Sequence, residues 1–511
     1  MTNSQSNNNR IAKNTLLLYV RMIFLMLVSL YTSRVILNAL GVIDYGIYMA
    51  VGGFVAMFGV ISNSLTAAIS RFITFELGKK DENRIKEVFT ASLYIQFLIS
   101  GIILILLETV GVWFLNTQMT IPTDRINAAN WVFQFSILTF VINLISIPYN
   151  ASIIAHEHMK AFAYIGIIQA IATLCIAFII KVVPSDKLSC YAFLIAIVAI
   201  FIRILYGYYC KRQFVECSSF LRKCNKNIIK EIFNFAGWNF IGSTSGILRD
   251  QGVNLLINIF CGPAVNAARG IAMQVSAAVT QFSNNFLTAI NPQITKSYAS
   301  GDRSYLINLV FRGARLSCYL LLLLSLPVLV ETHEILQLWL KIVPEYAVAF
   351  VRLILIYVII ESISYTMITL MLATGDIKNY QILVGGLQLL NFPISFILLK
   401  LGYDPKATIV TSIIIAFICL FLRLYMLHKM VAFPINPFLQ RVLLNIIVVG
   451  ILATVTPLIV VQFMGSGLVR LFVNCLLTFI STSIIMYFIG CDHQERTFIN
   501  EKIFSKLRFH A

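Results

Sequence analysis

The stretch "SNSLTAAISRFITFELGKKD" (residues 62–81) ends an apolar segment and turns basic. A second stretch, "SNNFLTAINPQITKSYASGD" (residues 283–302), repeats its plan. Aligned without gaps, Ser62, Asn63, Ala68, Ile69, Ile73, Thr74 and Asp81 meet the same residue types at Ser283, Asn284, Ala289, Ile290, Ile294, Thr295 and Asp302. The register extends backwards, pairing Gly41 with Gly262 and Ala56 with Ala277. A second pair of segments, 142–162 and 360–380, matches at nearly the same offset: Ile145 with Ile363, Ser146 with Ser364, Ala155 with Ala373 and Lys160 with Lys378. Two separated matches in one register point to duplication of a six-helix unit.

Composition sets the solvent. The chain has 511 residues, 59% hydrophobic and 12% charged, with a mean hydropathy of +0.85. Soluble domains carry about 25% charged residues. The deficit runs along the whole length, so the chain reads as a polytopic membrane protein. About 20 apolar residues span a bilayer as a helix. Such runs occur near 15–40, 46–74, 88–115, 127–155, 161–183, 188–209, 232–260, 265–292, 314–331, 347–373, 381–400, 407–427, 441–463 and 468–490. The expected fold is therefore an all-α membrane protein of about fourteen transmembrane helices. Two pseudo-symmetric six-helix lobes (10–210 and 211–430) precede two further helices (431–490) and a tail (491–511). A central cleft is expected, with the lobes related by an axis along the membrane normal.

The formal net charge of +17 reads as topology rather than nucleic-acid binding. Lys79, Lys80, Arg84 and Lys86 follow the second span. Lys211, Arg212, Arg222, Lys223, Lys226 and Lys230 follow the sixth, and Lys296, Arg303, Arg312 and Arg315 the eighth. Arg423, Lys429 and Arg441 flank the link from the twelfth to the thirteenth. Loops of the other parity are poor in base, and one holds Glu331, Glu334 and Glu345. Both termini are expected in the cytoplasm. Ten scattered cysteines with no CxxC pair argue against a disulfide framework or zinc site. His156, Glu157 and His158 sit in a short link and read as an ordinary loop. No nucleophile–base pair, P-loop or HExxH is present, so neither catalysis nor a cofactor is expected.

Polar residues at membrane depth fall on single faces of particular helices. In span eight these are Asn266, Thr280, Gln281, Asn284, Thr288 and Asn291, with Arg269 at the edge. In span seven they are Asn239, Ser243, Asp250, Asn254 and Asn258, with Arg249 beside them. Span two aligns Asn63, Thr66, Ser70 and Thr74; span one aligns Asn14, Arg21, Ser29 and Thr32. Interhelical hydrogen bonding accounts for the neutral groups. Arginine is harder to explain, costing about 2.5–3.5 kcal/mol at a helix centre. Arg21 and Arg249 are the first candidates for a substrate site and Arg269 follows. Arg34 can snorkel, and Arg71 sits where topology alone would place it. Asp250 can pair with an arginine. A guanidinium fork matches phosphate oxygens, so the expected cargo is anionic.

With "SRVILNALGVIDYGIY" (33–48), "IPYNASIIAHEHMKAFAY" (147–164), "GPAVNAARGIAMQV" (262–275), "FLTAINPQITKSYASGD" (286–302) and "LATGDIKNYQ" (372–381), the chain resembles the polysaccharide (O-antigen type) flippases of the multidrug/oligosaccharidyl-lipid/polysaccharide exporter superfamily. The resemblance implies V-shaped lobes and alternating access in a bacterial inner membrane. It implies translocation of undecaprenyl-pyrophosphate-linked oligosaccharides to the outer leaflet, the lipid tail staying in the bilayer. It also implies work alongside glycosyltransferases and a polysaccharide polymerase, as a monomer. Lipid II flipping is a close variant. A cation-coupled multidrug exporter is a rival, though span one holds arginines where a buried acid would be wanted. A membrane polymerase or ligase would need a large outer loop, and the outer links here are short.

Overall fold

The computed structural model describes residues 3–500 apart from 57, 118, 120, 185, 219–224, 341–342, 466, 494 and 498–499. Arg222, Lys223 and most of the basic tail thus lie outside the described residues, as does the side chain of Arg34. The described chain is helical, and ten helices are long and apolar enough to cross a membrane, or eleven counting one bent pair as a span. The segments at 46–74, 232–260 and 265–292 are helical but not among them. They carry the polar stripes, and those side chains dilute their hydropathy.

The chain folds as two compact units, Met1–Ser243 with Thr288–Asp302, and Thr244–Leu287 with Arg303–Ala511. The first contains α1 (Asn3–Ala56), α2 (Gly59–Lys79), α3 (Glu82–Leu106), a short α4 (Val112–Thr117), α5 (Ile126–Ala155), α6 (Met159–Val182) and α7 (Lys187–Gln213). In α1, Asn14, Leu18 and Met22 are buried at helical spacing, while Leu16, Val20, Ile23 and Leu27 are exposed. That apolar exposure is the face a lipid solvent requires. α5 packs on α7, and α1 on α6. The core joins Val35 and Ile36 to Ile176, Ala177, Ile180 and Tyr191.

Two helices pass from unit to unit: α8 (Lys226–Ile247) and, after α9 (Val253–Cys261), the long α10 (Pro263–Ala299). The second unit continues with α11 (Arg303–Val330), α12 (Thr332–Leu340), α13 (Ala347–Ser362) and α14 (Tyr365–Thr374). It ends with spans Lys378–Lys400, Lys406–Val431, Ile435–Phe463 and Leu468–Gly490. Its core places Phe350, Val351, Ile354 and Leu355 of α13 against Leu321 of α11 and Ala268 and Ala272 of α10.

The backbone repeats where the sequence does. Gly41 breaks α1 at φ 81°, and its partner Gly262 separates α9 from α10 at φ 86°. Lys80 ends α2 in the left-handed region at φ 60°, and Gly301, at the same register, follows α10 at φ 76°. In the second pair of matched segments, Glu157 has φ 61° where Gly375 has φ 84°. Asp81 then caps α3, accepting from the Arg84 N–H at 3.0 Å. Asp302 stands immediately before α11. A left-handed residue reverses a helix in one step, and glycine does so without a Cβ penalty.

A Cβ at Gly41 or Gly262 would meet no neighbour within 4 Å. Only backbone strain opposes substitution there, about 1–2 kcal/mol for a left-handed L-residue. Gly41→Ala and Gly262→Ala should therefore each lower the thermal midpoint of the detergent-solubilised protein. Gly450→Ala, in a regular helix with equally open space, should leave it unchanged or raise it slightly. Equal midpoints for all three would contradict the role given to positive φ.

Candidate anion-binding arginine clusters

In the first unit, Arg21, Arg71 and Arg203 are held by ring faces. The Arg21 guanidinium carbon lies 4.4 Å from the centre of the Phe162 ring. Its head packs over Gly166, where a Cβ would fall 2.6 Å from Nε. The glycine makes the space, and Arg21 Nε is buried with no hydrogen-bond partner. Arg71 stands 4.5 Å from the Phe75 ring, 4.7 Å from Phe72 and 5.7 Å from Phe235. Arg203, which charge patterning did not single out, uses the same device. It lies 3.9 Å over Tyr149, and a Cβ on Gly207 would crowd its Nη1 at 2.8 Å. Cation–π contacts of this kind are worth about 2 kcal/mol when desolvated, and at Arg21 and Arg203 they leave Nε without a hydrogen-bond partner.

The second unit builds a denser cluster. Arg249 and Asp250 occupy a π-helical turn, Leu248–Gly252, a distortion common at functional sites. Neighbours on a regular helix point about 100° apart. Here the long arginine folds onto its neighbour, Nε to Oδ1 at 2.8 Å and Nη2 to Oδ2 at 3.0 Å. Its guanidinium also lies 5.3 Å from the Tyr357 ring. Arg269 is 6% exposed and donates Nη2 to the Asp250 carbonyl oxygen at 3.3 Å. Its Nε has no partner. Asp250 thus joins the two arginines, by side chain to one and by backbone to the other. Asn63 and Asn284, equivalent in the repeat, are both exposed on their helices.

Several charges read as topology markers are interior ion pairs. Arg423 is 1% exposed inside the span Lys406–Val431 and pairs with Glu361 at 2.9 Å. Both partners keep buried polar atoms without hydrogen bonds: Nε and Nη1 of the arginine, Oε2 of the acid. Arg315 bonds Asp492 at 3.2 Å and Glu495 at 2.8 Å. Glu331 is fully buried and accepts from Arg470 at 2.9 Å and Asn474 at 2.7 Å. Desolvation is the reason for this pairing. A charge held away from water needs a partner of opposite sign, and each of these has one distant in sequence.

The His156–His158 link is more than an ordinary loop. His156 Nε2 and Glu216 Oε1 are 2.8 Å apart, and the ring stacks on Phe214 at 4.2 Å. His158 Nδ1 meets the Tyr209 hydroxyl at 2.9 Å. Burial holds His158 below the ordinary histidine range, with His156 and Lys296 acting in the same direction. Between them, Glu157 is buried and ion-paired.

The MatE family model matches residues 18–179. A curated relative, the "Uncharacterized membrane protein EpsK" of Bacillus subtilis (strain 168), is 19% identical over 300 residues. That match spans 58% of this chain and 58% of the relative's length. Solved structures are similar over most of the chain. One is the "Outward-facing conformation of a multidrug resistance MATE family transporter of the MOP superfamily" (TM-score 0.72, 11% identity, 84% of this chain and 96% of that one). Another is described as "Reverse polarity of binding pocket suggests different function of a MOP superfamily transporter from Pyrococcus furiosus Vc1 (DSM3638)" (TM-score 0.70, 10% identity, 84% and 96%). The fold is that of the MATE transporters.

The Arg423–Glu361 pair can be tested directly. Removing one partner of a buried pair costs about 3–5 kcal/mol, whereas an apolar pair of similar volume is often tolerated. Glu361→Leu and Arg423→Met should each lower the thermal midpoint sharply, and the double variant should recover much of the loss. Additive losses would show that the two charges do not act as a pair.

Proposed function

We infer that this chain, with its MatE match over residues 18–179 and MATE transporter fold, is a membrane transporter for an anionic lipid-linked glycan. The cargo class is a polyprenyl-pyrophosphate-linked oligosaccharide, moved from the inner to the outer leaflet of a bacterial plasma membrane for surface polysaccharide assembly. The observation that carries this reading is a pair of arginines, one in each unit, whose guanidinium groups are only partly engaged. Arg21 and Arg269 each bury an Nε–H without a partner. One is seated on an aromatic ring, the other on a backbone carbonyl. Neither seat neutralises the charge. Pyrophosphate oxygens are the acceptors such forks fit, and a prenyl tail can remain in lipid while the headgroup crosses. Glycosyltransferases that build the unit and a polymerase that consumes it are the partners this implies.

Multidrug export is the second reading, since one structure of this fold is described as a multidrug resistance transporter. Asp250 favours it as an acid at depth. Against it, Asp250 is already bonded by Arg249 at 2.8 Å. Asp44, beyond the Gly41 break in α1, pairs with Arg125. Both of these acids are therefore already engaged by base.

Losing a charge-assisted hydrogen bond costs about 1.5–3 kcal/mol. Arg21→Ala and Arg269→Ala should thus cut glycan export about tenfold or more in a strain with no other flippase, with the protein still inserted and folded. Lipid-linked oligosaccharide should build up in the inner leaflet. Lysine should rescue only in part, because it keeps the charge and loses the fork. Normal surface glycan in the well-expressed double alanine variant would sink this reading.

A further inference from the structure

We propose that Glu157 is a latch that seats the C-terminal end of α10 and must release it during the transport cycle. The Glu157 side chain is 1% exposed, yet three donors from two distant segments converge on its carboxylate. Arg10, near the start of α1, brings Nε to Oε2 at 2.8 Å. Lys296 brings Nζ to Oε1 at 2.7 Å, and Gln293 donates Nε2 to Oε2 at 2.6 Å. Asn14 reaches the Glu157 carbonyl oxygen at 3.5 Å. Gln293 and Lys296 belong to the last turns of α10, three residues apart and so on one face.

Two features separate a latch from an ordinary ion pair. The first is the backbone. Glu157 holds φ 61°, a conformation the repeat gives to glycine at Gly375. A non-glycine residue pays a strain for that conformation, so the carboxylate itself is what this position uses. The second is the seat. A Cβ at Gly78 would fall 2.7 Å from the Ala299 Cβ and 2.7 Å from the Lys296 carbonyl oxygen. The end of α2 therefore lies directly on the α10 backbone, and positions 78 and 299 are equivalent in the repeat. The same helix end is held by a charge contact on one side and a glycine contact on the other. Most of α10 belongs to the second unit, and only Thr288 onward to the first. Residues 288–302, which also pack through Ala289 on Leu18 and Met159, form the segment a latch would release.

This inference rests on the transporter reading, but its first test does not. In full-length protein freed of native cysteines and held in nanodiscs, Ala299→Cys reports the seat through its rate of maleimide labelling. Glu157→Gln, Lys296→Gln and the wedge Gly78→Leu should each speed labelling about tenfold or more relative to Ala299→Cys alone. Glu157→Gln with Lys296→Gln should label no faster than the faster single variant, since both act through one contact. Unchanged labelling in variants that elute as folded protein would overturn the latch. The second test asks about transport. Glu157→Cys with Lys296→Cys, joined by a reducible bis-thiosulfonate linker, should stop glycan export, and reduction should restore it. Undiminished export while linked would show that the seat need not open. Changed labelling from a parent protein that exports no glycan would instead fault the transport reading and leave the seat standing.

Discussion

A guanidinium inside a membrane-spanning helix bundle must find acceptors or ring faces, because lipid offers none and desolvation costs several kcal/mol. Much of this structure answers that constraint. Arg423 takes Glu361, Arg470 takes Glu331 and Glu334, and Arg315 takes Asp492 and Glu495. Where acids are short, rings and glycines substitute. Arg21 lies over Phe162 and Gly166, and Arg203 over Tyr149 and Gly207. These two solutions differ in consequence. An acid cancels the charge, whereas a ring face holds the group and leaves its field available to an anion.

The helical plan was legible because hydropathy reports lipid contact directly. The spans at 88–115 and 407–427 correspond to apolar helices Glu82–Thr117 and Lys406–Val431. The duplicated stretch proved informative at its glycines. Gly41 and Gly262 match in sequence and both turn left-handed between helices. The same repeat places Lys80 over Gly301 and Glu157 over Gly375. There the residue types differ while the backbone agrees, so residue identity alone concealed the match.

The candidate site's geometry was legible in part. Polar stripes singled out Arg21, Arg249 and Arg269, and the structure brings Arg249, Asp250 and Arg269 together. Arg423 was hidden by its position near a helix end, where a basic residue reads as a cytoplasmic marker. The usable signal was Glu361, an acid in an apolar span that requires a base. Arg203 lay inside a strongly apolar helix with Gly207 one turn away, the same small-residue spacing that lets a guanidinium lie flat. Glu157 was masked by the histidines beside it, which drew attention to metal chemistry. No local pattern announces that its partners stand well over a hundred residues away.

The central claim is that arginines with a buried, unpartnered Nε–H select an anionic lipid headgroup. Native mass spectrometry of the purified protein, titrated with a polyprenyl pyrophosphate and with the matching neutral polyprenol, tests it most directly. The account predicts saturable binding of the pyrophosphate, weakened about tenfold or more by Arg21→Ala with Arg269→Ala, and little retention of the alcohol. Equal retention of both lipids, indifferent to the arginine substitutions, would contradict it.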